Sequence, residues 1–200
     1  MVYIKPRKIY DKTNSEGQKE GSIMHYKRYY QAPIGRVAIT SDGEHITGLW
    51  LPNQTDFELK YDHKLVETEQ PIFDKVERWL DAYFSGNIPE IDFPLKASGT
   101  EFREQVWAAL LEIPYGETAT YGEIAQIIGK KRGKAQMSSQ AVGGAVGSNP
   151  ISIIIPCHRV VGKDGSLTGY GGGIDTKIEL LKLEKMDMDV FYRPKHSTKP

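Results

Sequence analysis

The chain has 200 residues, of which 39% are hydrophobic and 26% are charged, a composition that supports one buried core or two small ones. Its formal net charge is zero, which excludes a protein that binds polyanions through its overall charge alone. No run approaches the roughly 20 apolar residues of a membrane span, and the first 24 residues are too polar for a signal peptide, so we expect an intracellular protein without a membrane partner.

One cysteine excludes an internal disulfide and the usual cysteine-rich zinc site. We therefore expect no metal and no cofactor. The thiol serves either as a reactive group or as a small apolar filler, and it indicates a reducing compartment. That compartment is the cytoplasm, or the nucleus if the source is a eukaryote.

The first half of the chain predicts a tail followed by a small α/β domain. Residues 1–24 lack apolar periodicity, which predicts a flexible tail. The segments "HYKRYYQ", "GRVAITS" and "HITGLWL" are rich in β-branched and aromatic residues and predict a small antiparallel sheet. In "PIFDKVERWLDAYFSG" the apolar residues recur at helical spacing between Pro71 and Gly86, which predicts a helix on that sheet. With the proline-containing linker that follows, this domain is expected to span 25–96.

The second half predicts a mostly helical domain over 97–186, followed by a C-terminal tail over 187–200. "SGTE" predicts a capping box before a helix that Pro114 stops. "TYGE", with Thr120 and Glu123 as the reciprocal pair, predicts a second helix ending at Gly129.

A third helix is expected in "MSSQAVGGAVGSNP", capped by Ser138 or Ser139 and ended by Pro150. It follows the basic loop "KKRGKAQ". Two short helices joined by such a loop are typical of a helix-turn-helix variant.

Local charge favours a polyanion partner although the net charge does not. Between Tyr121 and Lys163 the basic residues exceed the single acid, Glu123, by about five charges. The basic residues are Lys130, Lys131, Arg132, Lys134, Arg159 and Lys163.

The stretch "AVGGAVG" is costly for a helix, because each interior glycine disfavours it by roughly 0.5–1 kcal/mol relative to alanine. One interpretation is that Gly143 and Gly144 allow close packing against the core. The other is that a helix nearly bare of side chains presses its backbone into a DNA minor groove, which is only about 6 Å wide.

The lone thiol, Cys157, follows the apolar run "ISIII", which we interpret as a strand that Pro156 ends. Neighbouring side chains of an extended chain point to opposite faces, so we expect one water to bridge Cys157 and His158. A histidine that acts as a base usually needs an orienting acid, and Glu184 on the last helix is the candidate.

Four motifs occur together in this half: "YGETATYGEIA", "AVGGAVGSNP", "IIPCHRVV" and "GYGGGIDTKIELLKLE". Through them the chain closely resembles the O6-alkylguanine-DNA alkyltransferase family, the methylated-DNA–protein-cysteine methyltransferases. The resemblance covers about residues 100 to 185, with a weaker similarity in "APIGRVAITSDGEHITGLWL". It implies a ribonuclease H-like α/β N-terminal domain and a mostly helical C-terminal domain with a winged-helix-like DNA-binding unit.

The resemblance implies that Cys157 takes an alkyl group irreversibly from O6-alkylguanine flipped out of duplex DNA, so that each molecule reacts once. The resemblance does not decide whether O4-alkylthymine is also a substrate. His158 then corresponds to a water-linked base oriented by Glu184. Asn149 would brace the turn that carries the site, and Tyr121 would lie by the target phosphate and hydrogen-bond the base.

The resemblance also assigns the recognition of guanine. The carbonyls of Cys157 and Val160 and the amide of Gly171 would bind the base, and Tyr170 would form part of the pocket wall. Lys177 would support the packing below the site.

Monomeric binding to the minor groove of double-stranded DNA is the implied mode of interaction. The groove-binding residues would be Gln140, Ala141, Gly143 and Gly144. Further DNA contacts would come from Lys130, Lys131, Arg132, Lys134 and Arg159.

Three features depart from the family pattern. Gln140 stands where the family commonly has an arginine that fills the gap left by the flipped base. The basic loop from Lys130 to Lys134 is longer, and the N-terminal part lacks the cysteines of the zinc site that some relatives carry.

Two other functions compete with alkyl transfer. An alkyltransferase-like protein binds the lesion without accepting the alkyl group, but such proteins replace the nucleophile that is present here in "PCHR". A cysteine hydrolase would need an acyl pocket and an oxyanion hole, for which the sequence has no signature.

Overall fold

A computed structural model describes residues 24–61, 64–135 and 137–195. The predicted N-terminal tail lies outside the described residues except for Met24. Within the described ranges, no helix is long and apolar enough to cross a membrane.

The N-terminal domain contains a four-stranded sheet: β1 (His25–Ala32), β2 (Gly35–Ser41), β3 (Ile46–Trp50) and β4 (Leu65–Glu67), in the order β3-β2-β1-β4. The first three strands are antiparallel as expected, but β4 runs parallel to β1. The prediction of a purely antiparallel sheet was therefore incomplete. After β3 the chain crosses one face of the sheet, where a 3-10 helix (Thr55–Tyr61) stacks Phe57 on Trp50, and it returns beside β1.

The helix α1 (Pro71–Phe84) covers the other face of the sheet and buries the predicted apolar stripe. Pro71 occupies its first turn, and Gly86, with φ at +81°, follows its C-terminus as expected. The linker is bound to the sheet as well, because Leu95 pairs with Ile46.

The C-terminal domain contains α2 (Glu101–Leu110), β5 (Ala119–Thr120), α3 (Tyr121–Lys131), α4 (Ser139–Gly147), β6 (Val160–Val161) and α5 (Ile174–Leu183). The helices α2, α3 and α4 pack on one another, and β5 pairs in parallel with β6. One apolar core runs through both domains, so the N-terminal domain is packed directly against the elements that carry the site.

Capping chemistry was predicted correctly for two of the three helices. Thr120 and Glu123 form the reciprocal box of α3, and Ser138 caps α4. The box predicted in "SGTE" was wrong, because the cap of α2 is Thr100, whose side chain accepts from the amide of Arg103. The helix begins two residues later than that box requires.

The apolar run before Cys157 is a turn and not the predicted strand. Ile151 makes a single bridge to Leu49, and Ile153 has a positive φ of 70°. Cys157–Arg159 then forms one turn of 3-10 helix. The run is wholly buried, and the side chain of Asn149 closes it, accepting from the amide of Ile151 at 3.0 Å.

Residues 187–195, which we expected to belong to a C-terminal tail, pack on the C-terminal domain. The amide of Leu167 donates to the carbonyl of Tyr192 at 2.9 Å, and Phe191 packs against the apolar cluster around Leu181. The half-buried ring of Phe191 and the backbone hydrogen bond of Tyr192 explain why the segment has a defined path.

Candidate active site

Cys157 begins the 3-10 turn and is 6% exposed. Nδ2 of Asn149 donates to its Sγ at 3.1 Å and to the carbonyl of Ile155 at 2.8 Å. Asn149 therefore contacts the sulfur directly as well as bracing the turn. An amide donor aimed at sulfur stabilises a thiolate more than a thiol.

His158 lies against Glu184, with Nε2 at 2.7 Å from Oε1, and both side chains are fully buried. We infer that Nε2 carries a proton and donates it to the carboxylate, because a carboxylate only accepts. Nδ1 of His158 is then an acceptor, and it is buried without a hydrogen-bond partner among the described residues. This tautomer is the one that a base near the thiol requires.

Arg159 does not have the position expected of a DNA contact. Its Nε and Nη2 donate to the two oxygens of Glu184 at 2.8 and 2.9 Å, and Nη1 donates to the carbonyl of Ile113 at 2.7 Å. The prediction that Arg159 contacts DNA was therefore wrong. A buried carboxylate needs a compensating charge, and Arg159 supplies it from inside the protein.

Burial and hydrogen bonds act in opposite directions on the titrating groups. Burial alone would raise the pKa of Glu184, but the hydrogen bonds from His158 and Arg159 outweigh it and lower that pKa to about 2. Burial lowers the pKa of His158, and Glu184 partly offsets this effect. Burial also raises the pKa of Cys157, opposed by Asn149 and by the nearby charge of Lys177. The resting site thus holds a neutral thiol beside a neutral imidazole.

Lys177 is a fully buried cation beneath the site. Its Nζ donates to the carbonyl of Val160 at 2.6 Å and to that of Thr168 at 3.2 Å, and burial lowers its pKa to about 8. Lys177 thus ties together the two segments on which Val160 and Tyr170 lie. The Val160 carbonyl keeps a second lone pair for a ligand.

Tyr121 and Tyr170 lie on two sides of this region. The hydroxyl of Tyr121 donates to the carbonyl of Thr168 at 3.1 Å, and burial raises the pKa of Tyr121. Tyr170 is buried, its ring centroid lies 6.5 Å from that of His158, and its hydroxyl has no partner among the described residues. The role of Tyr170 as a pocket wall and that of Tyr121 beside the target phosphate remain predictions.

The glycine run 171–173 is pressed against the loop that follows β3. Asn53 donates to the carbonyl of Gly172 at 2.8 Å, and a Cβ added to Gly172 would lie 2.2 Å from the side chain of Leu51. A Cβ added to Gly171 would lie 2.8 Å from the side-chain amide of Gln54. The N-terminal domain therefore fixes the loop that carries the Gly171 amide.

The glycines of α4 are open and not packed against the core. A Cβ added to Gly144 would meet nothing within 4 Å, and one added to Gly143 would lie 3.9 Å from the ring of Tyr121. Gln140 and Ala141 are exposed at the start of the same helix. This geometry contradicts the close-packing interpretation and leaves a smooth, exposed helix surface.

The basic loop begins inside α3, which runs two residues past the predicted end at Gly129, and it is exposed from Lys130 to Ala135. Of its four basic residues, Arg132 donates to Gln105 at 2.9 Å, which holds the loop against α2. With Arg159 committed to Glu184, the excess of positive charge between Tyr121 and Lys163 that is open to a partner falls to about four. The exposed basic residues of the loop are Lys130, Lys131, Arg132 and Lys134.

Sequence reasoning missed two residues at this site. Tyr83 was assigned only to the apolar stripe of α1, yet its hydroxyl donates to Glu184. Asn53 lies in a turn that carried no functional pattern. The polar end of Tyr83 was a weak signal, because a buried tyrosine hydroxyl usually finds a partner.

A buried cysteine, histidine and glutamate lie beside a helix pair with an exposed, glycine-rich surface. This arrangement is the one expected of a DNA-binding protein with a reactive thiol. Two family models match the chain. The model described as "6-O-methylguanine DNA methyltransferase, ribonuclease-like domain" matches residues 25–97. The model described as "6-O-methylguanine DNA methyltransferase, DNA binding domain" matches residues 101–186. The chain belongs to the 6-O-methylguanine DNA methyltransferase family.

Individual relatives agree with this assignment. A methylated-DNA–protein-cysteine methyltransferase of Haemophilus influenzae is 48% identical over 162 residues, which cover 80% of this chain and 87% of that protein. The structure of the Mycobacterium tuberculosis O6-methylguanine methyltransferase superposes with a TM-score of 0.71 at 46% identity, covering 81% of this chain and 93% of that chain. A structure of Mycobacterium tuberculosis OGT in complex with DNA has a TM-score of 0.69 at 43% identity, covering 80% and 92%.

Proposed function

We propose that this protein repairs O6-alkylguanine in double-stranded DNA by transferring the alkyl group to Cys157 once and irreversibly. The observation that carries the proposal is a buried group of four residues next to an exposed, glycine-rich helix. The four residues are Asn149, Cys157, His158 and Glu184. Relatives at 46–48% identity are named methylated-DNA–protein-cysteine methyltransferases.

The proposed reaction uses each group of this chain for one task. His158 accepts the thiol proton at Nδ1, through the one bridging water that we expect between the two side chains, and Glu184 stabilises the imidazolium that forms. The sulfur then forms a bond to the alkyl carbon as the bond from that carbon to O6 breaks. The guanine keeps the electron pair of the broken bond and receives the proton that His158 took from the thiol, so the base leaves neutral and His158 returns to its neutral form.

DNA would reach the site through the minor groove. Gly143 and Gly144 let the backbone of α4 approach the groove floor, and the basic loop contacts phosphates at one side. The carbonyls of Cys157 and Val160 and the amide of Gly171 would bind the flipped guanine, with Tyr170 as a wall. We expect the protein to bind DNA as a monomer. We expect it in the cytoplasm, or in the nucleus if the source is a eukaryote.

Incubation with O6-benzylguanine tests the proposal. We expect mass spectrometry to find one added benzyl group on Cys157 and none after a second addition of reagent. A lesion-binding protein would bind alkylated DNA without gaining mass, and a cysteine hydrolase would turn over repeatedly. Either result would refute the transferase assignment.

Gln140→Arg should speed repair of O6-methylguanine in duplex DNA. Gln140 is exposed at the start of α4, where a side chain can fill the gap left by the flipped base. Arginine is longer and stacks its planar charge on bases, so it should stabilise the extrahelical state. The measurement is the second-order rate constant on a methylated duplex.

Free O6-benzylguanine serves as the control, because it needs no base flipping. Its reaction rate should hardly change in the Gln140→Arg variant. Equal acceleration of both reactions, or no acceleration on the duplex, would return Gln140 to an ordinary position on the helix surface.

A further inference from the structure

Tyr83 brings a hydroxyl group from the N-terminal domain into the polar cluster beside Cys157. It lies in the last turn of α1, is 1% exposed and stacks on Trp79 with ring centroids 5.3 Å apart. Its hydroxyl donates to Oε1 of Glu184 at 2.8 Å. Among the described residues before 97, it is the one whose side chain makes a hydrogen bond to Glu184.

The hydroxyl acts on His158 through the carboxylate and not directly. Oε1 of Glu184 also accepts from Nε2 of His158 at 2.7 Å, whereas the Tyr83 oxygen lies 3.4 Å from that nitrogen. A separation of 3.4 Å is too long for a strong hydrogen bond, and both groups donate to the same oxygen. Tyr83 and His158 therefore share one acceptor.

A permanently protonated phenol suits this position. Burial raises the pKa of Tyr83 well above its ordinary value, and the charge of Glu184 raises it further, so the hydroxyl remains a donor at any ordinary pH. A donor on the shared oxygen fixes its direction and draws electron density from it. The carboxylate then attracts a proton on His158 less strongly.

We propose that Tyr83 is a positioning residue for the transfer reaction, whose hydroxyl holds Glu184 against Nε2 of His158 and limits the basicity of the imidazole. This inference rests on the proposed function. By this route the N-terminal domain contributes to the chemistry as well as to the fold.

Tyr83→Phe tests the proposal, because it removes the hydroxyl and keeps the ring that packs on Trp79. We expect the rate constant with O6-benzylguanine to fall about tenfold, a fraction of the 10²- to 10⁴-fold that acid–base catalysis supplies. We also expect the acid limb of the pH–rate profile to move to higher pH. Glu184 with one donor fewer holds the imidazolium proton more tightly, and His158 must be neutral to accept the thiol proton.

A second variant changes the donor in the opposite direction. Placing 3-fluorotyrosine at position 83 retains the ring and the hydroxyl but makes the phenol more acidic and a stronger donor. The acid limb should then move to lower pH. Tyr30→Phe is the matched control, because it removes another tyrosine-to-carboxylate hydrogen bond to α1, that of Tyr30 to Asp81, away from the site. Its rate and profile should equal those of the unmodified protein.

The outcomes separate the two proposals. An unmodified protein that gains no benzyl group refutes the proposed function itself. If that protein reacts but Tyr83→Phe leaves the profile in place, whether or not the rate falls, the positioning role of Tyr83 is overturned. Thermal unfolding reports whether Tyr83→Phe folds. If it does not fold, the fluorotyrosine protein decides, and an unmoved acid limb there overturns the proposal.

Discussion

Cys157→Ala should abolish alkyl transfer while leaving the affinity for duplex DNA unchanged. The substitution removes the atom that forms the new bond, whereas the proposed DNA contacts lie on α4 and the basic loop, which do not touch the sulfur. The measurements are benzyl incorporation by mass spectrometry and binding to a labelled duplex.

The loss of activity should not come from unfolding. Truncating the buried Cys157 side chain to a methyl group costs about 1 kcal/mol of stability, and Asn149 keeps its hydrogen bond to the Ile155 carbonyl. Cys157→Ser is the matched variant, because it keeps the shape but has a much less acidic hydroxyl. Transfer retained by Cys157→Ala would assign the nucleophile to another residue.

Glu184→Gln should slow transfer by about two orders of magnitude or more, within the range that general base catalysis supplies. An amide carries no charge to stabilise the imidazolium of His158. It also leaves Arg159 as an uncompensated, largely buried cation, and breaking such a pair costs about 3–5 kcal/mol. We therefore expect both slower benzyl transfer and a lower melting temperature, with DNA affinity unchanged in the folded protein.

The pH dependence of stability provides a second measurement on the same variant. The pKa of Glu184 falls from 4.5 to about 2 on folding, so its contribution to stability is present above about pH 4.5 and is lost as the pH falls toward 2. Glu184→Gln should lack this part of the acid transition. Glu179→Gln, on the exposed side of α5, is the control and should retain it. An unchanged acid transition in Glu184→Gln would contradict the depressed pKa.

Local sequence patterns predicted most of the helices well. The box of Thr120 and Glu123 depends on residues three apart, and the apolar stripe of α1 depends on 3.6-residue periodicity, so neither needs distant partners. The short strand β4 was missed because three residues carry little pattern and because its parallel pairing with β1 is set by the path of the crossing segment. The run "ISIII" was misread for a related reason. A continuous apolar run shows that a segment is buried but not whether it is extended.

The sequence alone determined the family and supplied the candidate residues of the site, because the single thiol, the adjacent histidine and the motifs that carry the family resemblance all lie within short segments. Only the tertiary structure decided how the charges are used. Arg159, assigned to DNA because of its charge, pairs with Glu184, and Tyr83, assigned to the core because of its spacing, donates to the same carboxylate. Both contacts join residues far apart in the chain. The cost of burying a charged carboxylate selects such partners, and that cost exists only once the chain has folded around it.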